Sequence, residues 1–362
     1  HVCENLQNGV GRTIRLHEDE EYNLFLIANL KTGIGGVPKV VKWTDVHDQL
    51  PASKPLAVAI GVAVNNKLVY QDSRTWPHIF VAGSTNMGKS NQVKSWICSL
   101  MLRNTPDQVQ FYFIDLKRGL ALGKFKNIPH CAGFAKQPEE AAEMIREIVK
   151  IGRKRLDSFE EKCEDLIGWN AQFPHQRLPY IYVIIDELFD LMNANPELRG
   201  EMISLIGEIH RQHRAAGIHD ILSTQIINKQ VADIQIIGNA PSRCCFSLPG
   251  LSQSMLVLNN GRATTLLDHP GRCVYRGRGS DVIVQSPWIT DKEVQDSIDM
   301  VIAGHQASQE FTPDDLWRVI LHNLGGLAAY REVKDACVGQ ISEYRLKKWL
   351  KGAEYNLSLI HI

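Results

Sequence analysis

The sequence predicts an α/β fold: a central, mostly parallel sheet with helices on both faces, followed by a small helical piece. Three observations predict it. From residue 78 onward, short apolar runs alternate with amphipathic ones, as in repeated β–α–β units. Two apolar runs, "VQFYFID" (109–115) and "YIYVIIDE" (180–187), are continuous rather than alternating, as strands covered on both faces should be. Residues 83–90, "GSTNMGKS", sit between a strand pattern and a helix pattern and read Gly-x-x-x-x-Gly-Lys-Ser.

The elements follow in order. Residues 1–55 are irregular, with one strand pattern at 22–30 and prolines at 38, 51 and 55. The stretch 55–73 predicts two strands around an Asn65-Asn66 turn. "HIFVA" (78–82) is a strand, and a helix follows over about 89–103. Pro138 opens a long helix in which Ile145, Ile148, Leu156, Phe159, Cys163 and Leu166 fall near helical spacing. "ELRGEMISLIGEIHRQHRAAG" is an amphipathic helix with Gly217 as its stop. Strands at 218–225 and 243–248 come next, then a hairpin over 271–287.

A polar break near 304–310 separates a helical piece. Thr312 and Pro313 suit its first helix start, a second helix covers about 327–337, and Ser342 caps a third. The implied organisation is a partial β-containing region or linker at 1–55, a main domain at 56–303, a helical domain at 310–352 and a tail of doubtful origin at 353–362. No initiator Met or signal peptide is present, which suggests a fragment.

Composition narrows the function. Lys+Arg and Asp+Glu are both 40, so a purely electrostatic nucleic-acid binder is excluded; any grip on DNA must come from a local patch or a ring of loops. Eight scattered cysteines without a C-x-x-C pair read as reduced core thiols of a cytoplasmic protein. The histidines show no metal-ligand spacing: His210 and His213 are helical neighbours without an accompanying carboxylate or cysteine pattern. No stretch approaches 18 apolar residues, so no membrane span is expected.

The chemistry begins at the loop Gly83, Ser84, Thr85, Asn86, Met87, Gly88, Lys89 and Ser90. Its glycines let backbone N–H groups ring a phosphate, Lys89 brings charge to β/γ oxygens, and Ser90 offers a hydroxyl to Mg²⁺. Asp186 and Glu187 close the most apolar strand. Asp186 suits Mg²⁺, and Glu187 suits a general base that orients water. The strand at 109–115 intervenes in sequence between the two motifs, which points to a RecA-like P-loop ATPase using ATP and Mg²⁺. Gln225, at the end of another strand, is a candidate γ-phosphate sensor, although a strand-end Gln is more often a loop contact. Asp115-Leu116-Lys117-Arg118-Gly119 reads equally well as a solvated loop or a functional one.

With these residues in place, the chain resembles the motor domain of the FtsK/SpoIIIE family of double-stranded DNA translocases. The resemblance rests on "WPHIFVAGSTNMGKS", "FIDLKRG", "NIPHCAG", "LPYIYVIIDELFDLM", "HRAAGIHDILSTQ" and "GNAPSRCCFSL", in the family's order. Asn86-Met87-Gly88, Arg118-Gly119 and Ile226-Ile227 depart from the usual residues and mark a divergent branch, of mobile-element or phage type. The resemblance implies a homo-hexameric ring, ATP between subunits and double-stranded DNA through the centre. It implies a trans-acting arginine, for which Arg214 and Arg243 are the candidates, and a pore loop where Lys229 and Gln230 touch phosphates. Some members carry a C-terminal winged helix, which this piece matches in outline; here Arg345, Lys347 and Lys348 crowd the third helix and read either as DNA contacts or as the solvated basic face of a helical cap. It also implies work at the cytoplasmic face of the membrane, with a membrane tether or membrane-protein partner engaged through a region ahead of residue 1. The expected function is DNA transport, segregation or conjugative transfer. The alternatives are the ATPase of a protein-secretion system, which often has tandem motor domains, and a non-motor ATP-dependent DNA-binding module.

Overall fold

The computed structural model describes residues 13–19, 24–30, 36–74, 78–228, 238, 240–266, 269–277 and 281–310, with positions 333, 335, 337 and 346. Strands β1 (Thr13–Asp19) and β2 (Leu24–Leu30) pair antiparallel as a separate two-stranded sheet. The short helix α1 (Trp43–His47) buries Trp43 and Val46. Its start is stitched to a segment distant in sequence, because Trp43 N–H donates to Trp288 O and Trp288 N–H to Val41 O.

Strands β3 (Ala57–Val62) and β4 (Leu68–Asp72) form the expected hairpin, with Asn65 and Asn66 both at positive φ in the turn. Then come β5 (His78–Ala82), α2 (Lys89–Arg103), β6 (Val109–Ile114), β7 (Cys131–Ala135), α3 (Pro138–Phe159) and α4 (Leu166–Gln172). They are followed by β8 (Tyr180–Ile185), α5 (Leu188–Ala194), α6 (Pro196–Gln212) and β9 (Ile218–Thr224). The described order closes with β10 (Ser242–Phe246), α7 (Leu251–Leu258), β11 (Arg272–Arg276), β12 (Val282–Gln285) and α8 (Asp291–Glu310).

Ten strands form one sheet in the order β4-β3-β12-β11-β10-β5-β9-β8-β6-β7. The run from β10 to β7 is parallel throughout, and the remaining strands extend it as an antiparallel meander. This is a RecA-like P-loop arrangement, with β5 at the centre. Although β6 intervenes between β5 and β8 in sequence, the strand that separates them in space is β9.

Two apolar layers hold the sheet. On one face, Ile145 and Ile148 of α3, Met192 of α5 and Ile206 and Ile209 of α6 pack on Phe80, Ile185 and Leu222. On the other, Val93, Trp96 and Ile97 of α2 and Val294 and Ile298 of α8 pack on Val81, Phe113 and Ile184. Both faces are covered, which is why the central strands read as unbroken apolar runs. Among the described residues, no helix is long and apolar enough to cross a membrane.

Three boundaries differ from the sequence reading. Helix α3 starts at Pro138 as expected, with Glu140 accepting from the Gln137 and Lys136 N–H groups. It ends at Phe159, because Glu161 takes a positive φ and Asp165 caps α4 by accepting from Gly168 N–H at 2.8 Å. Leu166 therefore belongs to α4. Helix α6 ends at Gln212 rather than at Gly217; Gly217 (φ 72°) instead closes the following turn, donating to Arg214 O. The polar stretch 304–310 lies inside α8, since polar residues can continue a helix.

Candidate active site

Strand β5 delivers Gly83 through Ser90 to the C-terminal edge of the sheet. The loop is braced from behind: Ser84 N–H donates to Ser247 O at 3.0 Å, and Met87 O accepts from Gly271 N–H at 2.8 Å. Gly83 is required by space, because a Cβ there would lie 2.6 Å from the Cβ of Phe246. Gly88 is required by conformation, at φ 109°. As N-cap of α2 it provides no side-chain cap, which leaves the first-turn N–H groups open to an anion.

Lys89 is buried. Its Nζ donates to Ser223 Oγ at 3.0 Å and to Asp186 O at 3.5 Å, and lies 3.9 Å from Glu187 Oε2. Burial lowers its pKa, against the opposing pull of Glu187 and Asp186. Asp186 is also buried. Desolvation pushes its pKa up, Asp115 and Glu187 push the same way, and Lys89 and Lys117 oppose them.

Glu187 is the most constrained group. Its Oε1 accepts from the Thr224 hydroxyl at 2.6 Å and from Gln225 N–H at 2.9 Å. Its Oε2 accepts from Lys117 Nζ at 3.3 Å. Gln225 Oε1 in turn accepts from the Thr85 hydroxyl of the phosphate loop at 2.9 Å. The loop, β9 and β8 are thus joined by one hydrogen-bonded chain that ends on the carboxylate.

Lys117 and Thr224 were not singled out from sequence. The available signal for Lys117 was the cluster of charges after β6. Asp115 is what aims it: buried, it accepts from the backbone N–H groups of Lys117, Ala121 and Leu122. The turn so formed carries Arg118 and Gly119 at positive φ.

The two arginines have different surroundings. Arg243, on β10, donates to Val257 O at 2.6 Å and to Ala240 O at 3.3 Å within its own chain. Arg214 is exposed and precedes β9, at the sheet edge opposite the phosphate loop. It borders a cavity with Asp72, Arg74, Asp165 and His219. Neither arginine is brought to Lys89 or Glu187 of the same chain. Lys229, Gln230, Arg345, Lys347 and Lys348 lie outside the described residues.

The FtsK/SpoIIIE family model matches residues 44–168 and 166–229. The chain is 32% identical over 285 residues to the DNA translocase FtsK of Lactiplantibacillus plantarum, covering 75% of this chain and 35% of that protein. It is 31% identical over 279 residues to the DNA translocase FtsK of Halalkalibacterium halodurans, covering 73% and 35%. It therefore spans about a third of the length of the curated relatives it matches. In fold it is similar to the pCW3 conjugation coupling protein TcpA, with a TM-score of 0.68 and 22% identity over 82% of this chain and 84% of that one. It is also similar to the cytoplasmic domain of the type VII secretion ATPase EccC of Thermomonospora curvata, with a TM-score of 0.60 and 17% identity over 70% and 32%. The matched segments contain the phosphate loop, the acid pair and the Gln225 strand end described above, and the chain belongs to the FtsK/SpoIIIE family.

Proposed function

We propose that this chain is the ATP-hydrolysing motor of a double-stranded DNA translocase that works as a homo-hexameric ring. The observation that carries the reading is Glu187, a carboxylate held at the C-terminal edge by Thr224, Gln225 and Lys117, beside a complete phosphate loop. The relatives above 30% identity are DNA translocases by name, whereas the secretion ATPase is alike in fold only. That contrast supports DNA over polypeptide as substrate.

In this reading, the loop N–H groups and Lys89 hold the nucleotide phosphates. Glu187 orients the attacking water and takes its proton. Gln225, bonded to Thr85 and backed onto Glu187, senses the γ-phosphate and passes its state to the chain after β9. Mg²⁺ fits Ser90 and Asp186: both offer hard oxygen donors, and a cation would relieve the buried charge that raises the Asp186 pKa. When bound, Mg²⁺ neutralises charge on the β- and γ-phosphate oxygens. Arg214, exposed on the opposite edge, is the stronger candidate to reach a neighbouring subunit's site; Arg243 is occupied by carbonyls of its own chain.

The motor unit comprises residues 56–303 with the remainder of α8, and the burial of Trp43 and Val46 draws the preceding segment onto it. Lys229 and Gln230 grip DNA phosphates in the channel, six copies concentrating charge that a neutral chain otherwise lacks. Residues 310–352 act as a helical DNA-reading piece through Arg345, Lys347 and Lys348. The free thiols among the described residues fit work in the cytoplasm, at the membrane face if a tether or membrane partner engages the ring. Segregation and conjugative transfer are the processes this activity serves.

The test is ATPase rate with and without duplex DNA. Severalfold stimulation by duplex, and not by a polypeptide substrate, is expected. A rate unchanged by duplex, with basal hydrolysis intact, overturns DNA as the substrate.

A further inference from the structure

Behind the nucleotide edge, at the N-terminal ends of the central strands, two imidazoles and a carboxylate meet inside the protein. His78 opens β5, and Asp220 stands directly opposite it on β9 in the parallel register. His210, in the last turn of α6, reaches down onto the pair. The side chains of His78 and His210 are fully buried and that of Asp220 nearly so. Asp220 Oδ2 lies 2.6 Å from His210 Nε2 and 3.4 Å from His78 Nδ1.

A hydrogen-bonded triad accounts for only part of this. The 2.6 Å contact to His210 is a hydrogen bond, but the approach of His78 lacks hydrogen-bond alignment. Both ring nitrogens of His78, Nδ1 of His210 and Oδ1 of Asp220 are buried without a hydrogen-bond partner among the described residues. Buried polar atoms are nearly always satisfied, so this cluster asks for a missing partner, one that could take a nitrogen from each ring and a carboxylate oxygen. A cation is one partner that an imidazole lone pair and a carboxylate can share.

The geometry supports that. One ligand atom from each of the three residues lies within 4.8 Å of the others. Metal–nitrogen and metal–oxygen bonds of about 2.1 Å place two ligands of one ion at most about 4.2 Å apart, so side-chain shifts of under about 1 Å would close the site. Two imidazole nitrogens with a carboxylate form a borderline donor set suited to zinc and its first-row neighbours, rather than to Mg²⁺ or Ca²⁺. The second carboxylate oxygen, Oδ1, is available as a fourth ligand atom.

We propose that His78, His210 and Asp220 bind one divalent transition-metal ion of the zinc class, which clips helix α6 to strands β5 and β9. The site is separate from the Mg²⁺ position at Ser90 and Asp186, which lies at the other end of the same strands. Its role is structural: the ion fixes the base of the strand that carries the phosphate loop and of the strand that holds Glu187.

The test uses the full chain without nucleotide, purified from zinc-supplemented medium and dialysed. Elemental analysis is expected to give one zinc per chain. After chelation, titration with Co²⁺ should give a saturable visible ligand-field spectrum without thiolate charge-transfer bands, reversed by Zn²⁺ and not by Mg²⁺. The thermal midpoint should fall on chelation and recover with Zn²⁺. His210→Gln and Asp220→Asn should reduce the metal content from one per chain to near zero. If either variant fails to fold, the cobalt spectrum of the unaltered chain still decides, because nitrogen–oxygen and thiolate ligation give different bands. A wild-type chain with no stoichiometric ion and no cobalt spectrum overturns the proposal and leaves a hydrogen-bonded triad. Full metal content in a folded His210→Gln chain overturns it as well.

Discussion

The hydroxyl of Thr224 donates to Oε1 of Glu187 at 2.6 Å, so the second acid of β8 is held by a residue of the neighbouring strand β9. Removing the hydroxyl while keeping the shape, as in Thr224→Val, should lower kcat by about tenfold, in line with the ~1.5–3 kcal/mol of a hydrogen bond to a charged group. Nucleotide affinity should hardly change. Steady-state ATPase rates and equilibrium binding of a non-hydrolysable analogue separate the two, and a fall in affinity with unchanged kcat would contradict the positioning role.

Glu187→Gln should bind ATP yet hydrolyse it about 10²–10⁴-fold more slowly, the usual range for losing a general base. Lys89→Ala should instead lose nucleotide binding, because the charge aimed into the loop is gone. Single-turnover hydrolysis and filter binding on both variants check the distinction. Normal turnover by Glu187→Gln would shift the base to another acid, with Asp190, 3.9 Å from Lys117, the first to consider.

Asp186→Asn should be inactive and more heat-stable. Burial, with Asp115 and Glu187 adding to it, raises the Asp186 pKa in the folded chain, so the folded state holds this proton more tightly than the unfolded state does. The stability associated with it is present at low pH and lost as pH rises through the raised value. The amide variant lacks that loss, so its advantage in thermal midpoint should widen as pH rises from below the ordinary carboxylate range through the raised value, and stay level above it. A gap that narrows with rising pH would rule out charge burial as the cause.

The two arginines should fail in different ways. Arg243→Ala removes donors from Val257 O and Ala240 O and should destabilise the chain itself, by about 1–3 kcal/mol. Arg214→Ala should leave the thermal midpoint of the chain unchanged and abolish hydrolysis only in assembled rings. Mixing it with Lys89→Ala subunits tests the trans role: partial recovery is expected, since interfaces that pair an intact loop with an intact arginine re-form.

What was legible in sequence was local. The phosphate loop is contiguous, and its glycines are forced by one close approach to Phe246 and one positive φ. Asp186 and Glu187 announce themselves by ending the most apolar strand. Their partners were not legible, because Thr224 and Lys117 reach Glu187 only once β9 and β6 flank β8. The same holds for His78, His210 and Asp220: ligand spacing along a chain cannot reveal a cluster assembled by strand register and a helix end. Of the secondary structure, the sequence reading lacks strands β1 and β7 and helices α1, α4, α5 and α7, since five to eight residues carry too little periodicity, and it also lacks the 20-residue helix α8. The end of α3 was overrun because Cys163 and Leu166 kept the apolar rhythm across a turn.

Strand β9 is paired without a bulge to β5 on one side and β8 on the other, and every one of its residues is buried. It therefore works as a ruler. Asp220 marks one end, and Thr224 and Gln225 mark the other. Adding or deleting a single residue between those marks would displace one end by roughly 3.3 Å and turn every side chain to the opposite face of the sheet. The bond to Glu187 and the histidine cluster could not both survive such a change. The length of this one strand is thus held to zero tolerance from both ends, and a library of insertions across the chain should have a complete gap at 220–224.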